Sequence, residues 1–370
     1  MKKRFGVYAL AAAAGCAVIF SGCAGCGANG KTNEAAFSSN WYADTSFPYI
    51  QPTFDETDSS FGGREEITYK VALNTETAGN SVYSVEYGAG AYSTLFYATR
   101  FDNSLICEEF RSGYPENLTV YYYKTELRFD SVTFKMKSGG DPAVFGEQRI
   151  VTECYFTDVS DHLRPLYATI DTDNYAPADF QPNSLENSYN HVSQKVTTFY
   201  NFAGSVAKTV IEDRLDSANS AENNVEGLDK TNNSLIDVCG LNVALRAMQL
   251  GSSLAQTVSV YSPSGRMQDF TFTGSTLALS DEERKAAESV LESAKLYVSG
   301  EGKTLSTVCV SATLNEDMRG ASQRYWFTAI DSLKNNRGRA TMVKMTAPAP
   351  FSLGTFEYKL DEVISTLYNG

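Results

Sequence analysis

Ile67-Thr68-Tyr69-Lys70-Val71-Ala72-Leu73 sets Ile, Tyr, Val and Leu against Thr, Lys and Ala at every second position. That is the two-residue period of a strand with one face in a core and the other in solvent. Further strand-like runs follow outward from it. They are Ser81 to Tyr87, Tyr92 to Phe101, Ser104 to Phe110, Leu118 to Phe129, Val132 to Lys137, Phe145 to Phe156, Leu166 to Asp171 and Val196 to Ile211. Gly88-Ala89-Gly90 and Asp130-Ser131 read as turns between neighbours. The runs are dense in Tyr, Phe, Thr and Val, which suit a pleated surface. They follow one another too closely for strand–helix alternation, so the spacing predicts an antiparallel meander.

Beyond a polar stretch from Glu212 to Asn233, read as a loop, Ser234 looks like a helix N-cap with Asp237 three residues on. Leu241, Leu245 and Met248 then share a helical face, and Gly251 marks a stop. Gln256 to Tyr261 and Met267 to Thr273 form a hairpin around Ser262-Pro263-Ser264-Gly265. Ser280-Asp281-Glu282-Glu283 opens a second helix to about Lys295. Strands return at Ser306 to Leu314, Tyr325 to Ile330, Arg339 to Met345 and Gly354 to Leu360. The expectation is a mainly β (α+β) fold: a large curved antiparallel sheet with one or two packed helices. So long a sheet must curl into a half-barrel or split into two layers.

The N-terminus carries an address. Lys2, Lys3 and Arg4 precede an apolar run from Phe5 to Phe20, closed by Ser21-Gly22-Cys23. This resembles the signal of bacterial lipoproteins, whose boxed cysteine becomes linked to diacylglycerol. The resemblance implies that Cys23 is lipidated and becomes the mature N-terminus, anchored to the membrane outside the cytoplasm. Cys16 and Cys26 also follow small residues. Cys16 would shorten the apolar run, and Cys26 would place a cysteine inside its own box. An uncleaved helix is the other reading of the same run. The organisation expected is a signal peptide over 1–22, a lipidated flexible tether over 23–64 and a single β-rich domain over 65–370, with an internal division near 213–233. The tether is rich in Gly, Asn, Ser, Thr and Asp, which bury too little to offset ordering entropy.

The formal charge of −13 becomes −16 without the leader, because residues 1–22 hold three cations and no acid. So acidic a surface repels nucleic acid. Cysteines stand at 16, 23, 26, 107, 154, 239 and 309. Cys107 with Cys154, or Cys239 with Cys309, would bridge in an oxidising compartment. Buried hydrophobic thiols are the plainer reading of their apolar surroundings.

No motif predicts a catalytic, metal or cofactor site. His162 and His191, the two histidines, lack a partner at ligand spacing and read as loop residues. Gly88-Ala89-Gly90 precedes a strand, not a helix, so it cradles no phosphate. Ser205 after Gly204 lacks the strand–turn–helix elbow of a serine hydrolase. Glu65-Glu66, Glu108-Glu109, Glu212-Asp213 and Glu282-Glu283 read as solvated surface acids. Asp171-Thr172-Asp173-Asn174 begins a calcium loop without finishing it. Tyr121-Tyr122-Tyr123 must alternate between faces of a strand; the core is the plainer reading of the aromatic load, and the lining of a groove is the alternative for some of it.

The segments Asp237-Val238-Cys239-Gly240-Leu241-Asn242-Val243-Ala244-Leu245-Arg246-Ala247-Met248, Gln256 to Tyr261, Tyr325-Trp326-Phe327 and Gly354 to Leu360 are similar to uncharacterised exported bacterial proteins with the half-barrel of lipoprotein carriers. The resemblance spans 66–362. It implies a curved sheet whose concave face holds an apolar ligand or an inserted helix, and it carries over no catalytic residue. Three functions follow as expectations: a tethered binding module for an apolar or amphipathic ligand or an envelope partner, an envelope glycan or peptide hydrolase with unidentified carboxylates, and an assembly scaffold.

Overall fold

The computed structural model describes residues 63–159, 162–177, 189–228, 236–247, 250–262, 266–298, 300, 303–314, 322–329 and 340–366. The leader, Cys23 and nearly all of the tether lie outside them. Eight strands form a first meander: β1 (Arg64–Asn74), β3 (Gly90–Arg100), β4 (Thr119–Phe129), β7 (Gln148–Val159), β8 (His162–Pro177), β9 (Tyr189–Tyr200), β10 (Val206–Asp213) and β11 (Ala221–Glu226). Seven form a second: β12 (Ile236–Asp237), β13 (Ala255–Ser262), β14 (Arg266–Ser275), β15 (Thr307–Leu314), β16 (Ser322–Thr328), β17 (Met342–Pro348) and β18 (Thr355–Ser365). The two meanders join where β1 pairs with β18, giving a 15-stranded sheet in the order β11-β10-β9-β8-β7-β4-β3-β1-β18-β17-β16-β15-β14-β13-β12. All its pairings are antiparallel except β12 with β13. A small sheet of β2 (Tyr83–Tyr87), β5 (Val132–Met136) and β6 (Ala143–Phe145) packs beside it.

The expected large, curved antiparallel sheet is what the chain builds. In β1, Ile67, Tyr69 and Val71 are buried while Lys70 and Ala72 are exposed, as the alternation requires. Register shifts at Thr68/Tyr69, Tyr155/Phe156 and Trp326/Phe327 bend the strands. The sheet curls until its ends approach. Tyr200, Ala207 and Leu228 from one end pack with Tyr261 from the other, and the Thr209 and Tyr261 hydroxyls lie 3.0 Å apart. Among the described residues no ladder joins β11 to β12, so side chains alone close this seam. On the convex side, α3 (Asp281–Ser293) starts in the expected capping box between Ser280 and Glu283 and buries Ala287 and Leu291, packing along β18. Among the described residues no helix is long and apolar enough to cross a membrane.

Several local readings are corrected. Ser104 to Phe110 is not a strand: Asp102 accepts from the Ser104 amide to start a turn, and α1 (Glu108–Arg111) follows with acids in its first turn and Arg111 in its last. Val196 to Ile211 is two strands, because the Asn201 carboxamide accepts from the Ser205 and Val206 amides and Gly204 takes φ of 70°. The polar stretch after Glu212 contains β11, paired to β10. Gly88-Ala89-Gly90 does not close a hairpin; β2 pairs with β5 in the small sheet, and β3 enters the large one. The helical segment after residue 235 is capped by Asp237, whose side chain accepts from the Cys239 amide, while Ser234 lies outside the described residues.

Candidate functional site

Among the described residues, a segment of the chain itself runs inside the curl. β12, a 3-10 turn over Val238–Gly240 and α2 (Leu241–Ala247) run through it, touching β4, β7, β8 and β13. Val238, Cys239, Leu241, Val243, Ala244 and Leu245 are each at most 2% exposed. Asn242 and Arg246, on the remaining side of α2, are buried as well, so the helix is surrounded on every side. Gly240 faces β7: a Cβ there would sit in ordinary contact with the Cys154 sulfur, at 3.5 Å.

Three polar side chains fasten this plug, each to a different strand. Tyr200 on β9 donates to Asp237 Oδ2 at 2.5 Å, and Asp237 Oδ1 accepts from the Cys239 amide at 2.7 Å. Asn242 Nδ2 donates to the Tyr92 hydroxyl of β3 at 3.1 Å. Arg246 reaches Glu65 of β1 with both terminal nitrogens, Nη2 to Oε2 at 3.1 Å, and its Nε donates to the Ala340 carbonyl at 3.0 Å. Glu65 is 1% exposed. Two unmatched ions there would be expensive, and the paired fork is what makes the burial tolerable. Burial also pushes the Asp237 carboxyl above its ordinary value, against the lowering effect of the Tyr200 bond. It pushes the Tyr69 and Tyr358 hydroxyls well above theirs, so both stay neutral. The fit is not complete: Asn242 Oδ1 and the Tyr358 hydroxyl are buried without a hydrogen-bond partner.

The described residues form two recesses, the first beside the plug. A recess of about 10 Å³, room for roughly one water, lies between it and β7–β8, lined by Cys154, Phe156, Leu163, Asp237, Gly240 and Ala244. Another, of about 30 Å³, lies outside the curl beneath α3, bordered by Leu279, Glu283, Val343 and Lys344.

The residues singled out in the sequence scatter. Cys23 falls outside the described residues. Among the described residues no disulfide joins Cys107, Cys154, Cys239 and Cys309, the last three of which are buried. Both histidines stand on strands rather than loops; His191 stacks on Tyr175 at 4.3 Å and contacts Asp173 at 2.5 Å. Asp171-Thr172-Asp173-Asn174 lies within β8, where Asp171 pairs with Arg214. No group of three or more potential metal ligands gathers among the described residues. Of the acid pairs, Glu65 is the correction: it points inward and is held by Arg246. The set Glu65, Asp237, Asn242 and Arg246 was not picked out from the sequence. Its one signal is Asn242 and Arg246, four apart and so on one helical side, amid Leu, Val and Ala.

No protein-family model matches the chain, and no curated protein matches it. Among solved structures, it is similar to a β-barrel-like protein of the domain of unknown function DUF1849 from Brucella abortus, at 10% identity and a TM-score of 0.38, over 81% of this chain and 96% of that one.

Proposed function

We propose that this chain is a membrane-anchored, extracytoplasmic binding module for an apolar or amphipathic ligand, and that the 236–247 plug holds the interior until a ligand replaces it. The observation that carries this reading is a concave apolar face occupied by a short segment fastened through polar side chains. The anchor rests on the basic and apolar leader ending at Ser21-Gly22-Cys23. A seven-residue helix is too short to hold itself together. Its order comes from the wall around it.

Magnitudes narrow the ligand. Val238, Leu241, Val243 and Leu245 contribute about 1.5–3 kcal/mol each when fully buried, roughly 6–12 kcal/mol together. At about 0.8 kcal/mol per methylene, replacing them takes roughly 8–15 methylenes, the size of one long acyl chain. A larger apolar body would meet the strands first.

Locking the plug tests the idea. In the full chain, Gly240→Cys places a thiol beside Cys154 within disulfide reach. Palmitate, added as the probe, should bind the reduced variant and not the oxidised one, with binding restored by reductant. Equal binding in both states would show that the plug does not give way.

A further inference from the structure

The outer face of the same strands carries a row of rings that the plug does not use. Tyr97, Tyr122, Tyr155, Tyr167 and Phe199 stand opposite one another across β3, β4, β7, β8 and β9. Successive ring centroids are 5.0, 4.8, 6.0 and 5.7 Å apart. The Tyr167 and Phe199 end lies under the 101–118 segment, which is held by Phe101 against Tyr155 at 5.6 Å and by the Tyr114 hydroxyl donating to the Tyr200 carbonyl at 2.6 Å. That segment makes a wall. Tyr97, Tyr122 and Tyr155 form the floor beside it, with Tyr97 and Tyr155 partly exposed.

Glu153 occupies the next position along this floor. Tyr122 donates to its Oε1 at 2.6 Å, and the Thr169 hydroxyl lies 3.4 Å from Oε2. An ionised carboxylate has about four acceptor sites, so Glu153 can take further hydroxyl donors.

We propose that this floor binds an uncharged sugar chain laid across the strands. Strands repeat about every 4.8 Å, so a ligand of linked rings laid across β3, β4 and β7 meets the partly exposed Tyr97 and Tyr155, with the buried Tyr122 ring packed between them. Each ring offers an apolar body, and the hydroxyl tips and Glu153 take the polar contacts. An acyl chain on this floor would leave those polar groups desolvated and unpaired. A polyanion would meet Glu153 and a chain of net charge −13. This site is independent of the interior, since it lies on the other side of the wall.

The experiment is calorimetric titration of the full chain with maltohexaose, cellohexaose and chitohexaose. At least one should bind, and Tyr97→Ala and Tyr155→Ala should each weaken it about tenfold, equivalent to 1.4 kcal/mol. Tyr122→Phe removes only a hydroxyl and should weaken binding about threefold while lowering the melting temperature by no more than about 2–4 °C, so the titrated chain is folded and a folding defect cannot mimic the result. Absence of binding to all three sugars at millimolar concentration, or equal affinity in the parent and in the folded Tyr122→Phe and Tyr155→Ala variants, would overturn the proposal.

Discussion

Tyr121 and Tyr123 point into the curl and Tyr122 points out, and the two sides of that one tripeptide meet different physics. Inside, Tyr123 is 3% exposed among buried side chains, where a polar atom left without a protein partner is costly, and Asn242 Oδ1 and the Tyr358 hydroxyl are the exceptions named above. The interior therefore holds matched pairs: Arg246 with Glu65, Tyr200 with Asp237, Asn242 with Tyr92. Outside, the Tyr97 and Tyr155 rings border water, Tyr122 between them is 6% exposed with its hydroxyl on the half-buried Glu153, and the rings contribute mainly by packing. The same residue type thus fixes the plug on one face and leaves a surface able to receive something on the other. Removing a polar partner should be costly inside and mild outside.

The largest effect expected is from Glu65→Ala, which leaves Arg246 buried without its acid. A loss of about 3–5 kcal/mol should appear in urea denaturation, and a loss below 1 kcal/mol would mean that water reaches the pair. Tyr200→Phe strips a donor from Asp237 and should cost about 1–3 kcal/mol by the same measurement.

Asp237→Asn acts through pH. The folded chain keeps the Asp237 proton above the ordinary value of 3.8, because burial penalises the charge. Between that ordinary value and the raised one, the folded state binds more proton than the unfolded state. The stability this proton lends is present at low pH and lost as pH rises through the folded value. Urea midpoints from about pH 4 upward should show the Asn variant gaining on the parent as pH increases. A constant difference would place water beside Asp237. Tyr122→Phe should be the mildest, about 1 kcal/mol or less, since Glu153 is reached by solvent. A larger loss would erase the contrast between the faces.

Much of the fold was legible because strand alternation is a local signal. Ile67 to Leu73, the antiparallel pair β13–β14 and the Ser280 capping box each declare themselves within a few residues. The break at Asn201 hid because the carboxamide that makes the turn sits inside a β-rich run. The stretch Ser104 to Phe110 misled because its apolar content belongs to a wall segment folded onto rings from other strands. The interior set was harder still. Glu65 looked like half of a surface acid pair, and its partner Arg246 is 181 residues away. The aromatic content was visible as composition, but the row exists only once register places Tyr97 opposite Tyr122 and Tyr122 opposite Tyr155.

The β1–β18 junction sets the order of events when this chain folds. β1 is among the first strands to be made, β18 among the last, and Tyr69 donates to the carbonyl of Met342, 273 positions on. Each meander can zip hairpin by hairpin, but the two cannot be stitched together until β18 has been made. Contacts of such long reach make for slow folding. Nascent chains would carry an unpaired β1 edge, open to other strands, for as long as synthesis lasts.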